Sequence, residues 1–210
     1  MNNLRPALLI ATLLLAGCAG SDSQTNSASQ STWWNPVSWS WSSLNPGNWF
    51  GSSLQVSEQG VGSVNGNTPL QQTPVEDGLK GKYTLRNGVR MVNGSVVSFW
   101  QALDDSRQVQ MELSGRTTVN RIEILDKAVE TDSGVKIGTR FSELYSKAFE
   151  SCKKGTGADR QSVECRAPNS QHISYVFSGD WHGPEELMPA DDTLKNWTIS
   201  KIIWHSQSAD

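Results

Sequence analysis

After Gly62 the chain alternates apolar and polar positions in short runs separated by turn residues, the pattern of half-buried strands. Tyr83-Thr84-Leu85-Arg86 leads to Asn87-Gly88, Val89 to Val92 leads to Asn93-Gly94, and Ser95 to Leu103 continues apolar. Asn-Gly between such runs predicts hairpin turns, because both central residues of a type I′ turn need positive φ. Val109 to Leu113 and Thr118 to Leu125 extend this β-meander, and later strands are expected through Val163 and Cys165, over His172 to Phe177 and over Trp197 to Trp204. Pro168-Asn169 reads as a turn, and Gly179 to Asp192 as a polar loop. One helix is expected where Phe141, Leu144, Tyr145, Ala148 and Phe149 share a face, with Thr139 placed to cap it and the Gly134 to Gly138 stretch turning into it. With about eight strands and one main helix, the fold class is mainly β (α+β): an antiparallel β-sandwich or half-barrel with one packed α-helix.

The first 57 residues follow a different pattern. An apolar stretch from Ala7 to Ala16 follows a single positive charge at Arg5 and ends in Leu15-Ala16-Gly17-Cys18, the arrangement of a bacterial lipoprotein signal. The run is roughly half the ~20 apolar residues that a spanning helix needs. The expected organisation is a signal peptide over 1–17, a lipidated flexible tether over 18–57 and a globular β-rich domain over 58–206. Cys18 is the expected lipidation site, and its acyl chains are the expected contact with the membrane. Each buried methylene contributes about 0.8 kcal/mol, so two or more chains make a stable anchor. Ala19 stands where an inner-membrane retention signal favours Asp, which points to the outer membrane, facing the periplasm.

Between Asp22 and Glu58 no residue is charged, and Ser23 to Thr32 holds only small and polar residues. Such composition cannot bury enough apolar surface to order itself. Over 33–50 the composition shifts again: Trp33, Trp34, Trp39, Trp41 and Trp49 are interleaved with Ser, Asn and Pro, and Asn35-Pro36-Val37-Ser38-Trp39 recurs as Asn45-Pro46-Gly47-Asn48-Trp49. Indole suits a wet apolar boundary. Three destinations compete for this segment: a groove of its own domain, the lipid headgroup region, and a protein or glycan partner.

Charge narrows the classes. The formal charge is −3, about −4 once Arg5 leaves with the signal, and no basic run is present, so a nucleic-acid partner is not expected. Cys152 and Cys165 are the two remaining cysteines in an oxidising compartment and are expected to pair; closing a loop of that length contributes about 3 kcal/mol on the chain-entropy model. A redox-active thiol pair and half of a metal site are the alternatives, but neither C-x-x-C nor a patterned His pair is present.

Candidate chemistry is sparse. His182-Gly183-Pro184-Glu185-Glu186, with Asp191 and Asp192 behind it, gathers His and carboxylates, but on a loop without the rigid spacing of a metal site, so no metal is expected. Trp181, His182 and Trp197 are candidates for a carbohydrate face, with Asp180 or Glu185 as acceptors; the competing reading puts Trp197 and Trp204 in the core or rim of the last strand. No Gly-x-Ser-x-Gly turn, P-loop or dinucleotide pattern appears, so no catalytic residue and no cofactor are expected. His172, His182 and His205 are far apart in sequence.

The stretch from Asn45 to Ser53, Val56 to Gly62, Asp132 to Phe149, Ser170 to Trp197 and Lys201-Ile202-Ile203-Trp204 resembles the sigma-E-regulated (RpoE-regulated) lipoprotein family of Gram-negative bacteria. The likeness covers nearly all of the mature domain, and Gln171 through Trp197 is its most specific stretch. It implies an envelope lipoprotein under the envelope-stress sigma factor, mainly β, with no established activity, and it carries over only Cys18. The tether here is longer and richer in Trp than the family's usual one. The function expected is therefore non-enzymatic envelope maintenance through binding a protein or envelope component. The alternative is a peptidoglycan- or glycan-binding, or else glycan-active, periplasmic domain.

Overall fold

A computed structural model describes residues 54–92 and 94–207. The chain is mostly β. In order it forms β1 (Gln55–Ser57), β2 (Gly60–Val61), α1 (Gln72–Gly78), β3 (Thr84–Val92), β4 (Ser95–Leu103), β5 (Val109–Gly115), β6 (Val119–Ile124) and β7 (Glu130–Thr131). Then come α2 (Phe141–Leu144), β8 (Cys152–Lys154), β9 (Val163–Arg166), β10 (Ile173–Ser178), α3 (Asp191–Leu194) and β11 (Thr198–His205). Eight strands make one antiparallel sheet in the order β3-β4-β5-β6-β11-β10-β9-β8, and β2-β1-β7 make a small second sheet in which β1 runs antiparallel to β2 and parallel to β7.

The alternation read from the sequence sorts the two faces of the large sheet. Met111, Leu113, Ile122, Ile124, Tyr175 and Phe177 turn inward and are buried, covered by Val56 and Val61 of the small sheet and by Leu54, Val64, Val75 and Leu79. At about 1.5–3 kcal/mol per large apolar side chain, this layer dominates the stability of the domain. On β11 the alternation is interrupted: Val176 pairs with Lys201 but Phe177 with Ile199, so Ser200 is an extra residue, a β-bulge. It lets Ile199 and Ile202 both reach the core and leaves Ser200, Lys201 and Ile203 on the other face.

Several expectations change. The domain begins before residue 58, since Leu54 and Val56 are buried and β1 is paired on both sides. Asn87-Gly88 does not turn: β3 runs straight through it, and the chain reverses between Val92 and Ser95, where Gly94 has φ 78° and Asn93 lies outside the described residues. The reason is Phe99, which stands opposite Gly88; a Cβ on Gly88 would lie 2.4 Å from the ring, so the glycine makes room for the aromatic across the strand.

The expected helix is one turn. It stops because Tyr145 takes extended backbone (φ −134°, ψ 138°), its hydroxyl donating to the Arg166 carbonyl at 2.6 Å, while the Ala148 N–H donates to Asp191 Oδ1 at 2.9 Å. These tertiary partners replace the next turn's hydrogen bonds. Arg140, not Thr139, is the capping residue, and its N–H donates to the Glu143 carboxylate. Phe141 and Tyr145 still pack together, rings 5.1 Å apart, with Phe177 edge-on to both. Among the described residues the longest helix is α1, where Pro74 sits in the first turn and so breaks no hydrogen bond.

Cys152 and Cys165 form the expected disulfide, but it joins directly opposed residues of neighbouring strands β8 and β9 instead of stapling a helix to the sheet. The signal peptide, Cys18 and Trp33, Trp34, Trp39, Trp41 and Trp49 lie outside the described residues. No helix among the described residues is long and apolar enough to cross a membrane.

Candidate functional site

The outward face of the large sheet carries most of the organised polar groups. Arg121 and Glu123 alternate with buried isoleucines on β6, and the bulge on β11 swings Lys201 over beside them. The Lys201 ammonium donates to Glu123 at 2.8 Å and to both oxygens of Asp159 at 2.8 and 3.1 Å, tying down the turn at Gly157–Asp159. Arg121 holds the other oxygen of Glu123 at 3.0 Å. Burial opposes ionisation of Glu123, but Lys201 and Arg121 together keep its carboxyl below the usual range. Burial likewise opposes the Lys201 charge, and Asp159 and Glu123 more than offset it, so the ammonium is held protonated beyond its ordinary range.

Glu112 stands directly opposite Glu123. Like charges so placed repel. Each is drawn to its own side: Glu112 pairs with Arg90 and accepts from Gln101 at 3.1 Å, and Gln101 in turn accepts from Arg86. Across β11 the pattern continues with Glu164, 3.8 Å from His205 Nε2, itself 3.4 Å from Arg121. His205 and then Arg121 hold the Glu164 carboxyl down at about 2, against the burial that would raise it. Both glutamates are thus pinned ionised, and neither is poised as a general acid near neutral pH. The lattice is built to hold strands and the 155–162 segment together.

Of the three histidines, the fold brings two together. The His172 Nδ1 lies 2.8 Å from the His205 carbonyl, with its ring stacked on Trp204, while His182 is exposed on its loop. Trp204 is buried and donates to the Glu58 carbonyl at 3.2 Å, and Trp197 is buried beside Gly179; both are core residues, as the competing reading had it. Trp181 is half-buried: its indole N–H donates to the Pro184 carbonyl at 3.0 Å, and its ring lies against Gly183, where a Cβ would meet it at 2.1 Å. Its ring braces its own loop. Glu185 faces Arg160 and Gln161, Asp191 faces Ala148, and Asp192 faces Lys195, so the His and carboxylates of this loop diverge. No group of three or more His, Cys, Asp or Glu among the described residues is arranged to hold a metal ion.

A concave surface lies instead at the β8 edge. A groove of about 490 Å³ runs from Tyr145 and Lys147 past Phe149 to Arg166 and Ser170. It shares Glu150, Ser151 and Arg166 with a smaller hollow of about 110 Å³ beside Cys152, Lys153 and Glu164. Phe149 is 81% exposed at its rim. Sequence periodicity assigned Phe149 to a buried helical face; in the fold Glu150, a non-glycine residue at positive φ (66°), turns the chain just after it, and no residue pattern in the sequence signals that turn. The charged lattice was legible in principle from Arg121, Glu123 and Lys201, which occupy the polar positions of strands read only for their apolar ones.

Comparison with known proteins places the chain. It is 48% identical over 204 residues to the uncharacterized protein YfeY of Escherichia coli (strain K12), covering 97% of this chain and 99% of that one. The crystal structure of the uncharacterized protein yfeY from Escherichia coli matches with a TM-score of 0.67 and 53% identity, covering 72% of this chain and 99% of that one. Residues 38–206 match the model of a protein family of unknown function, DUF1131, and the chain belongs to that family.

Proposed function

We propose that this protein is a non-enzymatic lipoprotein held at the periplasmic face of the outer membrane through Cys18, serving envelope maintenance under the envelope-stress sigma factor by binding a protein or envelope component. The observation that carries this reading is Leu15-Ala16-Gly17-Cys18 directly after a short apolar run. The domain's pairing of its charges within its own sheet supports it, since the lattice spends its carboxylates on structure. Envelope fractionation of the full chain and of Cys18→Ser tests it. The acylated chain is expected in the outer membrane and the variant outside it. Recovery of the acylated chain from the inner membrane, or a deletion strain without an envelope-stress phenotype, would overturn it.

The groove beside Phe149 favours a second reading, a peptidoglycan- or glycan-binding domain. An exposed aromatic ring offers a stacking surface, and Lys147 and Arg166 beside it offer cations for carboxylates. On this reading Phe149→Ala reduces retention on purified peptidoglycan severalfold. Retention that neither this change nor Trp→Ala at 33, 34, 39, 41 and 49 alters removes it.

A further inference from the structure

The β3–β4 hairpin runs past the end of the core. Val89, Met91 and Val96, on its core-side face, are 69, 65 and 61% exposed, and Val92, on the opposite face, is 41% exposed. Met91 and Val96 are cross-strand partners one pair before the hairpin's last pair, Val92 and Ser95, so the apolar residues surround one tip. A sheet face that receives another protein's sheet or helix is apolar on one side. This tip is apolar on both, which suits a medium that contacts it from all directions. Behind the apolar residues come Arg90 and then Arg86, and from residue 83 to 103 there is no Asp or Glu, in a chain of formal charge −3. Glu112 of β5, which pairs with Arg90, faces this pair of cations; among the described residues Arg86 bonds the neutral Gln101 and no carboxylate.

We infer that the tip of the β3–β4 hairpin inserts into a phospholipid surface, with Met91, Val92 and Val96 among the acyl chains and Arg86 and Arg90 at the level of the phosphates. The spacing fits. Arg90 to Val92 spans about 7 Å of extended chain, and apolar faces of peripheral elements sink roughly 5–10 Å below the headgroups. Long cationic side chains lay their stems along apolar surface and keep their charge at the interface. The Arg90 guanidinium already lies over the Phe99 ring at 5.2 Å.

The test uses the full acylated chain in vesicles of phosphatidylethanolamine and phosphatidylglycerol, with p-benzoylphenylalanine replacing Met91 in one sample and Leu125 in another. Leu125 is an exposed apolar residue at the opposite end of the sheet. Light is expected to attach phospholipid at position 91 severalfold more than at 125, and Val96→Asp is expected to reduce the adduct at 91 severalfold. No lipid adduct at 91, equal adducts at both positions, or crosslinking of 91 to a second copy of the chain would each overturn the inference. Mass spectrometry of the N-terminal peptide from the same sample reports acylation of Cys18 separately, so failure of the anchor and failure of the tip are distinguishable. An unchanged thermal midpoint of each variant in detergent excludes misfolding as the cause.

Discussion

The two edges of the large sheet solve one problem in opposite ways. An unpaired edge strand presents backbone donors and acceptors to any other extended chain, and proteins blunt such edges by shortening, charging or covering them. β8 is three residues long, carries Lys153 and Lys154, and is bonded covalently to its neighbour. β3 is nine residues long and ends in exposed Val89, Met91 and Val92. One edge is closed by its own sequence. Among the described residues nothing covers the far end of the other, which is the end that the lipid inference concerns.

The largest test of this contrast removes the closure. Cys152→Ala with Cys165→Ala is expected to cost about 3 kcal/mol on the chain-entropy model, read as a lower urea midpoint. A loss under about 1 kcal/mol, the size of an ordinary surface change, would mean that β8 is held without its disulfide. On the other edge, Gly88→Ala puts a methyl against Phe99 and is expected to cost about 1–3 kcal/mol through overpacking. If its thermal midpoint is unchanged, the ring moves freely and β3 is less firmly seated than its register implies.

A smaller effect of opposite sign is expected at β8. The Lys154 ammonium is buried without a hydrogen-bond partner among the described residues. Lys154→Met keeps the stem and removes that group, so it is expected to stabilise by about 1 kcal/mol; a lower midpoint would show that the ammonium has a partner after all. Next to it, Glu164 gives the β9 side a pH dependence. Its folded pKa of about 2 lies below the ordinary 4.5, so its contribution is complete above 4.5 and is lost as pH falls from there toward 2. Glu123 and Asp126 are shifted in the same direction. Glu164→Gln should therefore flatten the acid arm of the stability curve, and an unchanged slope from pH 4.5 to 2 would assign acid loss to the other two. The least effect on stability belongs to the tip: Met91→Ser is expected to stay within about 0.5 kcal/mol, as surface substitutions do, and a large loss would mean that the tip packs on its own domain.

Legibility in the sequence followed the range of the interactions. Val109 to Leu113 announced itself because one buried face imposes a two-residue period, whereas His172 to Phe177 and Trp197 to Trp204 did so as short apolar runs, the first buried on both faces and the second broken by the bulge at Ser200. Gly88 misled because the competing influence, the Phe99 ring, lies eleven residues away and favours a bare position in a strand over a turn. The helix at Phe141 was overextended for the same kind of reason: Arg166 and Asp191 capture Tyr145 and Ala148 from far along the chain. α1 gave little signal, since only Val75 and Gly78 of its seven residues are buried. The disulfide pairing could be read by counting cysteines, but that it ties strand to strand could not. The groove by Phe149 was not legible, because a positive φ at Glu150 is a property of the folded chain.

One consequence of the small sheet concerns mechanics. β1 enters the domain at Leu54 and lies between β2 and β7, pairing Val56 with both Val61 and Thr131. A pull on Leu54 directed along the axis of β1 loads these pairings lengthwise. The bonds of Gly62 and Asp132 to the carbonyls of Gln55 and Val56 are then loaded side by side, in shear, and must fail together, whereas a strand peeled from an edge loses its bonds in succession. The Glu58 carboxylate, gripped by Ser170 and Gln171, and the Glu58 carbonyl, held by Trp204, lie next in the line of load. The folded domain is thus spliced to whatever precedes it, and a steady pull there meets the resistance of several strands before any one of them comes away.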